Sequence, residues 1–165
     1  MSEEATGRTT DQQVGPAARF FESFTVGEVI HTQGRTITET DASMWAMLTG
    51  DMNPMHVDET YARAHGLFGG RFPPGMLPVA LATGLQERLG LFAGTGLAML
   101  EQSIRYRKPA MVGDTVHVEL VVLDTEPHPG KPRGRVRFGY EIIDADGEVN
   151  VEGEWVIVVA ASPAT

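Results

Sequence analysis

The chain has 165 residues, 42% hydrophobic and 21% charged, which fits one compact globular domain able to fold without staples. A net charge of −9 disfavours nucleic acid, whose phosphates it repels, and the absence of cysteine excludes thiol nucleophiles, Fe–S clusters and cysteine-ligated zinc.

Residues 1–19 are polar, small and aperiodic, and read as a disordered arm without the apolar segment of a signal peptide. No apolar run approaches the ~20 residues of a membrane span, so a cytoplasmic protein with no membrane partner is expected. A strand is expected over about 29–37. Thr38 or Thr40 then caps a short helix that sets Met44, Trp45, Met47 and Leu48 on an apolar face and stops at Gly50. Asp58 caps a second short helix, with Gly66 as its stop. A Gly/Pro-rich loop feeds the longest apolar stretch, which starts at Gly75 and is apolar nearly all round as far as Leu85. This predicts a helix buried on all sides. Pro78 falls in its first turn, where no intrahelical N–H is needed. Gly84 costs that helix ~1 kcal/mol against alanine, which a close backbone crossing would justify.

After Gly96 the pattern changes to β, alternating well across Thr115 to Leu123. Gly113-Asp114 reads as the turn between two strands, and Asp144-Ala145-Asp146-Gly147 as a hairpin between two more. One strand, short helices, a long helix and four antiparallel strands predict an α+β fold: an antiparallel sheet wrapped around one long buried helix. Such a sheet covers one side of its helix and leaves an edge, so a homodimer is expected.

The chemistry concentrates between the two short helices, where residues 49–59 read TGDMNPMHVDE. Asp51 and Asn53 form Asx turns readily, so a capped turn with a satisfied histidine is one reading. A calcium loop fails, because the positions that need glycine and glutamate hold His56 and Ala62. An iron site on His56 and Asp58 would need His31, His117 or His128 as third ligand. Ser23, Ser43, Ser103 and Ser162 lack the surroundings of a nucleophile. The remaining reading is an acid–base pair, Asp51 and His56, held on a loop stiffened by Pro54 and Asn53 and sharing the proton work on one water. Gly75, at the N-terminus of the long helix, offers a free N–H at the positive end of the dipole and no Cβ to block a carbonyl. Arg105, Arg107 and Lys108, and the basic run 130–137, are most simply solvated strand edges and a turn. Either is a candidate for contacting substrate phosphates.

Residues 45–85, with Gly-Asp-x-Asn-Pro-x-His followed by Gly-Met-Leu and a long helix, resemble the hydratase 2 signature of the MaoC-like, (R)-specific enoyl-CoA hydratases. The resemblance implies a single hotdog domain over 20–162, acting as a homodimer or dimer of dimers. It implies that Asp51 and His56 activate a water for addition across the C2=C3 bond of a trans-2-enoyl thioester, with the Gly75 N–H polarising the carbonyl. Asn53 would shape the loop, and Thr83, where relatives carry serine, would support the aspartate. No metal or separate cofactor is implied; coenzyme A or acyl-carrier phosphopantetheine belongs to the substrate. Pro74 stands where many relatives have histidine, which puts the acyl specificity in question. A non-catalytic partner subunit or acyl-thioester-binding module, and an acyl-CoA thioesterase, are the alternatives on this fold.

Overall fold

The computed structural model describes residues 17–163. Residues 1–16 of the expected arm lie outside them. Arg19 is anchored: its guanidinium pairs with Glu28 at 2.5 Å and its N–H donates to the Leu91 carbonyl at 2.8 Å.

After a 3₁₀ turn at Phe21–Ser23 come β1 (Val29–His31) and β2 (Arg35–Thr36). The expected single strand over 29–37 is thus broken in two. His31 pairs with Glu119 and Arg35 with Val116, so four steps on this side (35 − 31) oppose three on β4 (119 − 116), the extra residue of a bulge. Thr32 sits there, and its Oγ1 accepts the Val118 N–H at 2.8 Å in place of a ladder partner.

The helical segment follows the local caps. α1 (Glu39–Thr49) opens on a capping box in which the Thr38 hydroxyl accepts the Asp41 N–H and the Asp41 carboxylate accepts the Thr38 N–H. Burial raises the Asp41 pKa, but those Thr38 donors and Arg35 outweigh it and hold the carboxyl below its usual range. α1 ends at Gly50, whose φ of 73° a side chain would resist. α2 (Pro54–Val57) is a single turn, and α3 (Glu59–His65) is capped by Asp58, which accepts the Tyr61 N–H at 2.9 Å.

α4 (Met76–Glu87) lies against a sheet of strand order β1-β4-β5-β6-β3, antiparallel throughout, with β2 also on β4. The remaining strands are β3 (Gly96–Tyr106), β4 (Thr115–Pro127), β5 (Arg133–Asp144) and β6 (Val149–Ala160). Val118 and Leu120 on β4, Phe138 and Ile142 on β5 and Trp155 on β6 are at most 1% exposed and meet Leu77, Val79, Ala82 and Leu85 of α4. Each such side chain contributes about 1.5–3 kcal/mol on burial. A one-residue slip would turn the inner set outward, so burial fixes the register. Asp144–Gly147 forms the β5–β6 hairpin as expected, with Gly147 at φ 81°. Gly113-Asp114 does not close a hairpin: β3 and β4 are separated by β5 and β6, and the turn instead bonds Ile37.

α4 departs from the expectation of burial on all sides. Met76, Ala80, Thr83, Gly84 and Glu87 form an exposed stripe, because the sheet reaches round only one flank. A Cβ on Gly84 would meet nothing within 4 Å, so no close crossing within the chain explains that glycine. Among the described residues, no helix is long and apolar enough to cross a membrane.

Candidate active site

Short-range hydrogen bonds build the Asp51–His56 loop. The Thr49 hydroxyl accepts the Asp51 N–H at 3.2 Å, the Asp51 carboxylate accepts the Asn53 N–H at 3.4 Å, and the Asn53 side chain accepts the Met55 N–H at 3.1 Å. Pro54 starts α2, where a missing N–H costs nothing. The stretch read as a plain loop therefore holds a one-turn helix, and that turn aims His56.

The His56 Nδ1 lies 2.7 Å from the Phe72 carbonyl oxygen. A carbonyl only accepts, so Nδ1 carries the proton and Nε2 keeps a free lone pair. Nε2 faces the Asp51 Oδ2 at 3.9 Å; the imidazole is largely buried and the carboxylate 41% exposed. That gap is too long for a direct hydrogen bond. A water at normal distance from both groups would bridge them with an angle of about 90° at its oxygen, from ~2.8 Å contacts on each side. The Phe72 ring meets the imidazole edge-on, with centroids 5.1 Å apart.

Arg71, which the sequence reading did not single out, secures the far side of this loop. Its guanidinium pairs with Glu39 and lies 3.8 Å from Glu59, and its N–H donates to Glu59 at 3.1 Å. Arg71 thus ties α1, α3 and the Gly/Pro-rich loop together beside Phe72.

Gly75 caps α4 with ordinary helical angles, φ −57° and ψ −26°. Its N–H donates to no group among the described residues, whereas the Leu77 N–H is taken by the Pro74 carbonyl at 2.9 Å. The glycine requirement has a specific cause: a Cβ here would sit 2.8 Å from Cε1 and 2.9 Å from Cζ of Tyr106. Gly75 lines a cleft of about 370 Å³ with Phe68, Tyr106, Arg107 and Lys108. His56 lines a smaller one of about 200 Å³, and Phe72 and Pro73 line both.

The other sequence candidates fall as follows. Asn53 shapes the loop as described. The Thr83 hydroxyl donates to the Val79 carbonyl at 3.3 Å and makes no hydrogen bond to Asp51 among the described residues. Arg107 and Lys108 reach the Gly75 cleft, but carboxylates engage both: Arg107 meets Glu152 at 2.5 Å, and Lys108 meets Asp144 at 2.5 Å as well as Glu148. Those two carboxylates, Asp144 first, hold the Lys108 ammonium well above its ordinary pKa. Arg105 lies on the outer face of the sheet, 4.0 Å from Glu152. No three His, Asp or Glu side chains gather closely enough to hold a metal ion among the described residues.

Comparison with known proteins adds a family and a fold. Residues 21–141 match the family described as MaoC like domain. An (R)-specific enoyl-CoA hydratase of Rhodospirillum rubrum is 32% identical over 143 residues, covering 86% of this chain and 92% of that protein. The (R)-hydratase PhaJ1 of Pseudomonas aeruginosa superposes with a TM-score of 0.72 at 29% identity, covering 87% of this chain and 86% of that one. A double-hotdog protein of Mycobacterium tuberculosis superposes with a TM-score of 0.79 at 21% identity, covering 90% of this chain and 46% of that one. The architecture is a hotdog.

Proposed function

The chain belongs to the MaoC-like family, and from that premise we propose that it reversibly hydrates a trans-2-enoyl thioester to the 3-hydroxyacyl thioester. The observation that carries the reading is the 3.9 Å gap between the His56 Nε2 and the Asp51 carboxylate, with Nδ1 committed to Phe72. A water in that gap donates one hydrogen bond to each. As its oxygen bonds C3, Nε2 takes a proton, and the C2=C3 electrons move toward C2 and the thioester carbonyl. The free Gly75 N–H, at the positive end of α4, meets the negative charge growing on the carbonyl oxygen. The imidazolium returns its proton to C2, so the elements of one water are added. Asp51 stabilises the imidazolium while it lasts. Dehydration is the same path reversed.

The acyl carrier is coenzyme A or an acyl-carrier phosphopantetheine, entering by the Gly75 cleft, with Arg107 and Lys108 at its border. The exposed edge strand β3, with Leu97, Met99 and Leu100 each more than 40% exposed, and the exposed stripe of α4 suit a second copy of this chain. The test is crotonyl-CoA hydration by the purified protein, followed as loss of enoyl absorbance. Turnover supports the reading. Release of free thiol from saturated acyl-CoA without hydration would make it a thioesterase, and binding without turnover would make it a carrier or partner module.

A further inference from the structure

Tyr106, the last residue of β3, lines the same cleft as Gly75. A Cβ on Gly75 would meet not only its ring carbons but also its hydroxyl oxygen, at 3.3 Å. The backbone beneath the ring is held on both sides. Tyr106 pairs with Val151 in the β3–β6 ladder, and the next two N–H groups, of Arg107 and Lys108, donate to the Asn150 carbonyl at 2.8 and 3.2 Å. The hydroxyl is far less committed. Among the described residues it donates to the Met76 Sδ at 3.4 Å, and a thioether is a weak acceptor that gives up the proton at little cost.

That hydroxyl is within reach of a carbonyl bound at the Gly75 N–H. Adding the ~2.5 Å between a residue's N and its Cβ to the 3.3 Å contact puts the hydroxyl oxygen at most about 5.8 Å from the Gly75 N. Two donors on the two lone pairs of one carbonyl oxygen, each ~2.9 Å away and ~120° apart, stand about 5.0 Å from each other. One oxygen can therefore accept from both.

We propose that the Tyr106 hydroxyl is a second oxyanion donor, filling the lone pair of the thioester carbonyl that the Gly75 N–H leaves free. The inference rests on the hydratase reading. As water adds at C3, negative charge moves onto that oxygen, and a hydrogen bond to a charged acceptor is roughly twice as strong as one to a neutral acceptor. The donation thus favours the transition state over the bound enoyl thioester. The phenol keeps its proton throughout, and the imidazolium supplies the one that C2 receives. A phenylalanine ring would make the same wall, so the role belongs to the hydroxyl alone.

The experiment compares crotonyl-CoA hydration by wild type and Tyr106→Phe, which keeps the ring at a half-exposed position. Tyr106→Phe is expected to lower kcat by ~10–100-fold, the loss of a hydrogen bond to a charged group, with KM within about threefold of wild type. The second readout is the infrared carbonyl stretch of crotonyl-CoA bound to His56→Ala, too slow to turn it over during the measurement. Adding Tyr106→Phe is expected to raise that frequency, because the carbonyl loses a donor; a ring that only packs would leave the band where it was. Unchanged kcat in Tyr106→Phe, or a lower kcat with an unmoved band, overturns the inference while the hydratase reading stands on wild-type turnover. An inactive wild type removes that reading and the inference with it.

Discussion

Gly75→Ala probes the carbonyl site without deleting its N–H. The added methyl would lie 2.8–2.9 Å from two ring carbons of Tyr106, closer than carbon atoms approach, so the ring or the start of α4 must move. Tyr106 is 51% exposed and has room to swing outward. Overpacking of this kind costs about 1–3 kcal/mol. For a chain of this size that lowers Tm by about 2–4 °C per kcal/mol. Turnover should suffer more than stability, because the methyl also narrows the approach of a carbonyl to the N–H. Losing one such donor costs ~10²–10³ in kcat. Thermal unfolding followed by circular dichroism and kcat on crotonyl-CoA separate the two effects. Tyr106→Ala in the Gly75→Ala background should restore Tm by removing the clash, while kcat recovers only in part. Full activity and an unchanged Tm in Gly75→Ala would refute both the tight ring contact and the oxyanion role.

Two further outcomes follow from charge and from the exposed edge. Lys108, first among several donors, holds the Asp144 pKa below its ordinary 3.8, so the stability this carboxylate contributes is present above that value and is lost as pH falls through the lowered pKa. Lys108→Met should flatten that acid limb in Tm measured against pH, and an unchanged limb counts against the pairing. Light scattering should give at least twice the 17.9 kDa chain mass, and Leu97→Glu with Met99→Glu on β3 should lower it toward one chain; a monomeric wild type contradicts the proposed pairing.

Features governed by near neighbours were legible in the sequence. Thr38 and Asp58 cap the helices, Gly50 ends α1, and Asp144–Gly147 turns the β5–β6 hairpin, each through bonds within a few residues. Alternation across Thr115 to Leu123 marked β4 for the same reason. The proximity of Asp51 and His56 was legible because Asn53 and Pro54 encode the turn between them. Features set by distant partners were not. The break between β1 and β2 depends on Thr32 bonding Val118, and the open stripe on α4 on how far the sheet curls. The acceptor that fixes the His56 tautomer is the Phe72 carbonyl, a group every residue carries and no sequence pattern marks. Tyr106 against Gly75, and Glu152 against Arg107, join the end of β3 to partners far away in the chain. The Pro74 substitution has a partial account: its carbonyl caps Leu77, a role that needs no side-chain donor.

The central claim is that Asp51 and His56 act together on one water. Steady-state hydration of crotonyl-CoA by Asp51→Asn, His56→Ala and the double variant tests it most directly. Each single change should lower kcat by ~10²–10⁴, and the double should be little worse than the slower single, because a pair serving one water fails as a unit. Full activity in either single variant would contradict the account, as would losses that multiply in the double.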